Sequence, residues 1–168
     1  KIVELRRSRV LMESRFPSEI EQIYRNMEIY GDAWGSGSAS RTDWARGLNI
    51  KTVQDDPGID VLYWVGCAAA CDDRSRQSAM SFIRILQKAG INFGVLGTEE
   101  NCCGDYARRT GNEYIFQVLA KKNIKTLRKY HIKTIVVACP HGYNTLKNEY
   151  PQLEGNFEVI HSTEFVLG

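Results

Sequence analysis

DVLYWVGC, residues Asp60 to Cys67, is a short apolar run that stops at a glycine and a cysteine. A run of this length with a turn residue at its end reads as a β-strand over Asp60–Val65. Outward from it the pattern repeats. Asn92–Leu96, Thr134–Ala138 and Phe157–Ile160 are further runs of strand length, while Arg74–Lys88, Asn112–Lys129 and about 142–150 have helical spacing. Gly90, ahead of the second run, suits the left-handed turn that stops a helix. Strands alternating with helices predict an α/β fold with an open, mostly parallel sheet and crossover helices.

The cysteines fall at strand ends. Cys67 follows the first strand, Cys102 and Cys103 lie in the loop after the second, Cys139 ends the third, and His161 follows the fourth. In an open parallel sheet the carboxyl ends of the strands share one edge, and ligands bind in the crevice outside it. The spacing is regular: 34 residues (68–101) separate Cys67 from Cys102, and 34 (105–138) separate Gly104 from Cys139, one crossover unit each. Four thiolates on three loops can ligate iron or zinc, since tetrahedral sulfur suits both, and spacing does not choose between them. Gly104 lets a chain bearing two consecutive ligands bend sharply and approach a metal closely. Cys71, beyond three alanines from Cys67, reads either as another ligand or as a free buried cysteine.

The chain has 168 residues, 43% of them hydrophobic, enough for one domain with a real core plus an extension. Its 22 Lys+Arg against 20 Asp+Glu give a charge of +2, which argues against a nucleic-acid partner. No apolar run approaches the ~20 residues that cross a bilayer. The start at Lys1, without a methionine or a secretory leader, leads us to expect a piece of a longer protein. Five clustered cysteines, two of them adjacent, do not suit a disulfide framework; they point to metal or redox chemistry in a reducing compartment, the cytoplasm.

Residues 1–56 read as an N-terminal arm or linker, largely helical or irregular, and residues 57–168 as the main domain. The arm holds an arginine-rich start (Leu5–Arg9), a helix from about Pro17 to Tyr30 with Ile20, Ile23, Met27 and Tyr30 on one face, and a small-residue loop, Gly35–Ser40. Trp34 and Trp44 are expected to dock the arm on the domain or on a partner subunit.

Cys67, Cys102-Cys103-Gly104 and Cys139-Pro140-His141-Gly142 resemble the CCG, or cysteine-rich, domain of the iron-sulfur subunits of heterodisulfide reductase and its relatives. Those relatives include the iron-sulfur subunits of glycolate oxidase and anaerobic glycerol-3-phosphate dehydrogenase. DYARRTGNEYIF (Asp105–Phe116) and HGYNTLKNEYP (His141–Pro151) are similar to a bacterial and archaeal branch of the same proteins. The resemblance covers nearly the whole chain, including the arm around Trp34 and Trp44.

It implies a Rossmann-like fold and an iron-sulfur cluster, 4Fe-4S of cubane or noncubane type, ligated by Cys67, Cys102, Cys103 and Cys139. It also implies an oxidoreductase subunit that passes electrons between a flavoprotein or ferredoxin-type clusters and a disulfide or quinone. Family members carry two such domains after a ferredoxin-like segment, and this chain resembles the first. Its partners would be a flavoprotein or other iron-sulfur subunits, with membrane contact, at the cytoplasmic face, only through parts outside these residues. One departure stands out: the family has a fifth cysteine three positions beyond the match to Cys139, where this chain has Gly142. The site must therefore hold a smaller or four-cysteine cluster, recruit Cys71, His141 or His161, or be partly disabled.

Two other chemistries fit part of the pattern. Cys103 and Arg109 are spaced as C-x5-R between a strand and a helix, as in phosphatases with a cysteine nucleophile, but that leaves Cys67, Cys102 and Cys139 unexplained. A structural zinc module is the non-enzymatic alternative, although such modules favour cysteines two to four residues apart over adjacent ones. His141 reads as a ligand, a proton donor or a helix-start residue. His161 reads as a hydrogen-bonding neighbour of a sulfur or as a surface residue, and His131, outside the crevice, is assigned nothing. Arg108 and Arg109 are expected to form ion pairs near the site or to face an acidic partner. Tyr114, Phe116, Leu119 and Ile124 are expected on the buried stripe of a crossover helix, and Lys121, Lys122, Lys125, Arg128 and Lys129 at its solvated basic end.

Overall fold

A computed structural model describes residues 1–37, 41–56 and 58–168. Strands β1 (Val61–Trp64), β2 (Phe93–Gly94), β3 (Thr134–Val137) and β4 (Glu158–His161) form one all-parallel sheet in the order β2-β1-β3-β4. Leu62 is level with Ile135, which is level with Val159, so side chains of matching parity line up across the sheet. Leu62, Trp64, Ile135, Val137 and Val159 enter one core layer; Val61, Tyr63 and Val136 enter the other. Burial on both faces is why the strands read as continuous apolar runs. Each such side chain withdrawn from water stabilises the fold by roughly 1.5–3 kcal/mol.

Helices fill both layers. On one face lie α2 (Ser18–Tyr30), with Tyr24 and Met27 buried, and α6 (Glu113–Lys129), with Phe116, Leu119, Ile124 and Leu127 buried. On the other lies α4 (Asp73–Lys88), which buries Ala79, Phe82, Ile83 and Leu86 against β1 and β2. The side chains of Asp72 and Asn112 accept backbone N–H groups of Ser75 and Ile115, satisfying donors that a helix start leaves free. Tyr114 departs from the predicted stripe: it is 61% exposed, because it falls one residue ahead of the buried pair Ile115 and Phe116.

Among the described residues, four short or polar helices accompany these: α1 (Ile2–Leu11), α3 (Gly66–Cys71), α5 (Asp105–Thr110) and α8 (Ser162–Leu167). The helix expected over 142–150 starts earlier and is composite. α7 (Pro140–Asn144) opens with a proline in its first turn, passes into a π-helical turn at Thr145–Glu149, and ends in a 3-10 turn at Tyr150–Leu153. Pro151 offers no N–H and its ring would crowd the carbonyl four residues back, so a regular helix cannot run through it.

Residues before β1 are bound into the same body. Val95 donates to the Lys51 carbonyl (3.1 Å) and accepts from Val53 N–H (3.0 Å), so this segment takes up the free edge beside the two-residue β2. Trp44 packs in the α4 layer, as expected of a docking residue, whereas Trp34 is 54% exposed and lines a cavity at the carboxyl edge of the sheet. Of the small-residue loop Gly35–Ser40, residues 38–40 lie outside the described residues. Among the described residues no helix is long and apolar enough to cross a membrane.

Candidate metal centre

From β1 the chain leads outward to β2 on one side and then returns to β3 on the other. The strand order therefore reverses between β1 and β3, where an open parallel sheet leaves a crevice at its carboxyl edge. Cys67 follows β1 and Cys139 follows β3, on the two lips of this crevice. Gly66, at φ +79°, turns β1 into α3, and a β-carbon there would lie 3.8 Å from Cys139 Cβ, so the lips meet closely. Cys139 occupies the cap position of α7.

The loop carrying Cys102 and Cys103 is fixed by bonds from all around it. Cys102 N–H donates to the carbonyl of Gly31 (2.7 Å), the left-handed residue that ends α2. Asn123, buried in α6, donates to Cys102 O (3.0 Å) and Tyr150 Oη (3.0 Å) and accepts from Asn101 N–H (3.2 Å); Tyr150 Oη in turn donates to Cys103 O (3.2 Å). Gly104 then takes φ +90° and starts α5; a β-carbon there would stand 2.9 Å from Phe116 Cδ2. The expected sharp bend at this glycine is present, and the close approach that the structure shows is to Phe116.

Cys67, Cys102, Cys103 and Cys139 line one cavity of about 380 Å³. Cys67 Sγ and Cys102 Sγ are 3.7 Å apart, and Gly104 N–H points at Cys102 Sγ from 3.5 Å. Among the described residues no three His, Cys, Asp or Glu side chains are gathered as tightly as one metal ion requires. The thiols instead surround room for roughly a dozen water-sized volumes of ~30 Å³. Trp34, Trp64, Ala33 and Ala68 make the walls largely apolar. The bond to Cys102, with burial, pushes the Cys67 thiol well above its ordinary range; the adjacent Cys103 thiol, with burial, pushes Cys102 up. Four sulfurs around a largely apolar cavity, with no three side chains gathered for a single ion among the described residues, fit an iron-sulfur cluster better than a lone ion.

The other predicted residues separate by position. His141 lines the cavity as an exposed rim residue. His161 does not line it: its Nε2 meets the Ala138 carbonyl (3.0 Å) and its Nδ1 the Thr163 hydroxyl (2.7 Å), so both ring nitrogens are engaged beside the Cys139 backbone. Cys71 lies outside the cavity, with Sγ 3.2 Å from Ser36 Oγ. At Gly142, which lines the cavity, a β-carbon would meet Val137 Cγ2 at 3.1 Å and Trp64 Cδ1 at 3.7 Å. Arg109 reaches the cavity but sits in the last turn of α5, with its guanidinium on Asp105 (3.1 Å) and Glu149, not in a loop wrapped round a phosphate. Arg108 pairs with Glu113 and Glu149.

Several supporting residues were not foreseen. Asn123 carried a usable signal, since it stands four positions after Leu119 on an otherwise apolar stripe. Tyr150 and Glu100 carried none, being polar residues far in sequence from the loops they hold.

Comparisons with known proteins converge on the same region. Residues 61–147 match the family CCG, Cysteine-rich domain, a span that contains all four cavity cysteines and Gly142. The chain is 44% identical, over 99% of its length, to an EtfAB:quinone oxidoreductase of Syntrophomonas wolfei, of which it covers 24%. It is 40% identical over 98% of its length to the probable iron-sulfur-binding oxidoreductase FadF of Bacillus subtilis, again covering 24%. A third relative, one subunit of the dihydromethanophenazine:CoB--CoM heterodisulfide reductase of Methanosarcina mazei, is 37% identical over 92% of the chain, which covers 36% of it. The chain thus spans about a quarter of the length of the first two of these relatives. No solved structure matches it.

Proposed function

The chain belongs to the Cysteine-rich domain family, and from that premise we propose that it holds an iron-sulfur cluster on Cys67, Cys102, Cys103 and Cys139 as the electron-carrying part of an oxidoreductase subunit. The observation that carries this reading is the convergence of four thiols from three strand-end loops on one apolar cavity. When bound, such a cluster supplies a one-electron donor and acceptor. The chain's own work is to orient the thiols, wall them with apolar side chains such as the buried Trp64, and direct the Gly104 N–H at Cys102 Sγ. Of the candidates for a fifth ligand, Cys71 is bonded to Ser36 and His161 through both ring nitrogens, which leaves His141, on the cavity rim, as the side chain placed to join the four cysteines. In this reading residues 57–168 form the cluster domain and residues 1–56 brace it.

The relatives named for a quinone reaction and for a heterodisulfide reaction support an electron path that ends on one of these acceptors. The greater identity lies with the quinone branch. A flavoprotein or further iron-sulfur centres would supply the electrons, in a complex of several subunits. The test is iron and acid-labile sulfide analysis of protein prepared without oxygen, with electron paramagnetic resonance of the reduced form. Near-stoichiometric iron and sulfide with a brown colour are expected; a colourless protein holding zinc would overturn the reading.

A further inference from the structure

Among the described residues Arg41 is the only buried cation, and it belongs to neither the cavity wall nor the surface. Its Nη2 donates to Glu100 Oε1 at 2.9 Å. Glu100, also buried, accepts Gly66 N–H (2.8 Å) and Val65 N–H (3.0 Å), the two amides that lead into Cys67, and it stands two residues before Cys102. One carboxylate therefore ties the Cys67 turn to the double-cysteine loop, and Arg41 stands behind it. The other guanidinium nitrogen, Nη1, is buried with no hydrogen-bond partner among the described residues.

Withdrawing a guanidinium from water costs several kcal/mol, more than a clamp between two loops requires when a neutral donor would serve. The result is a buried ion pair in a low-dielectric setting, its carboxylate on the two amides that lead into Cys67 and its chain two residues from Cys102, so both of its charges bear on these sulfurs. We propose that Arg41, anchored by Glu100, is a positioning residue that sets the potential of the centre by offsetting negative charge on these two thiolates. This rests on the cluster reading above. Net charge around an iron-sulfur centre is one of the levers by which a protein tunes it, and a nearby cation favours the more negative, reduced state.

The experiment is a potentiometric titration of the full chain followed by electron paramagnetic resonance, in Arg41→Met and Glu100→Gln beside the unaltered protein. The midpoint should move to a more negative potential in Arg41→Met, where Glu100 keeps its charge alone, and to a more positive one in Glu100→Gln. A merely structural pair would lower melting temperature and iron content in both without opposite shifts. Equal midpoints, or shifts of one sign, overturn the proposal. If Arg41→Met does not fold, Arg41→Gln decides instead: a shift to a more negative midpoint supports the proposal and an unchanged midpoint overturns it. Absence of iron from the unaltered protein would instead overturn the cluster reading, so the two failures are distinct.

Discussion

The two rims of the same sheet are built by different rules. At the amino rim, α4 and α6 return to β2 and β3 through the same local motif: Gly90 and His131 adopt left-handed backbone, and Ile91 and Ile132 each donate to the carbonyl five residues back. The reversal itself is closed by backbone within each turn, with side-chain bonds such as Asn92 Nδ2 to the Gly58 carbonyl (2.8 Å) beside it, and the hollow there, about 250 Å³, is bordered by Asp60, His131, Lys133 and Thr134. At the carboxyl rim the loops are held by side chains far away in sequence, Glu100 on the β1 turn and Asn123 with Tyr150 on the double cysteine. At the amino rim the turns close on their own backbone; at the carboxyl rim the loops that carry the four cysteines are closed by side chains from elsewhere in the fold.

The contrast is most open to breakage at the sulfurs. Cys103→Ser or Cys102→Ser should remove nearly all bound iron and its visible absorbance, while His131→Ala at the opposite rim leaves both unchanged; equal iron in all three would end the distinction. Asn123→Leu comes next. It strands the Asn101 N–H and the Cys102 carbonyl in the core, while the Tyr150 hydroxyl keeps its bond to the Cys103 carbonyl, and we expect a loss of about 3 kcal/mol in denaturant unfolding, at roughly 1–3 kcal/mol for each group left unsatisfied. Gly104→Ala puts a β-carbon on a left-handed residue and against Phe116, for an expected cost of about 2 kcal/mol and reduced iron retention. His131→Gly should do the reverse at the amino rim, stabilising the protein by up to ~1 kcal/mol by relieving left-handed strain, with iron content untouched.

The same contrast explains what could be read from the residues alone. All four strands and the two long crossover helices were legible because they rest on local apolar patterns, and Gly90 was legible as a helix stop because its role is local too. The meeting of Cys67, Cys102, Cys103 and Cys139 was legible because parallel topology forces strand ends to one edge. The short helices α3 and α5 were not, since six residues give no periodicity to detect. Helix α1 was hidden by its arginines; Arg6 on the Arg109 carbonyl and Arg7 on Glu113 hold it against the body of the domain. Arg41 and Glu100 lie 59 positions apart, and no one-dimensional pattern links them. His161 was placed near the crevice by topology, but which atoms its ring would bond depended on Thr163 and on the Ala138 carbonyl.

The 3.7 Å gap between the sulfurs of Cys67 and Cys102 also bears on how the protein must be handled. Stripped of metal and left in air, these two thiols need only a small rotation to reach the ~2.05 Å of a covalent cross-link, with dioxygen taking the electrons. Aerobic purification should then yield a two-dalton mass deficit, reversed by a reductant, and a preparation that refuses reconstitution until that link is opened.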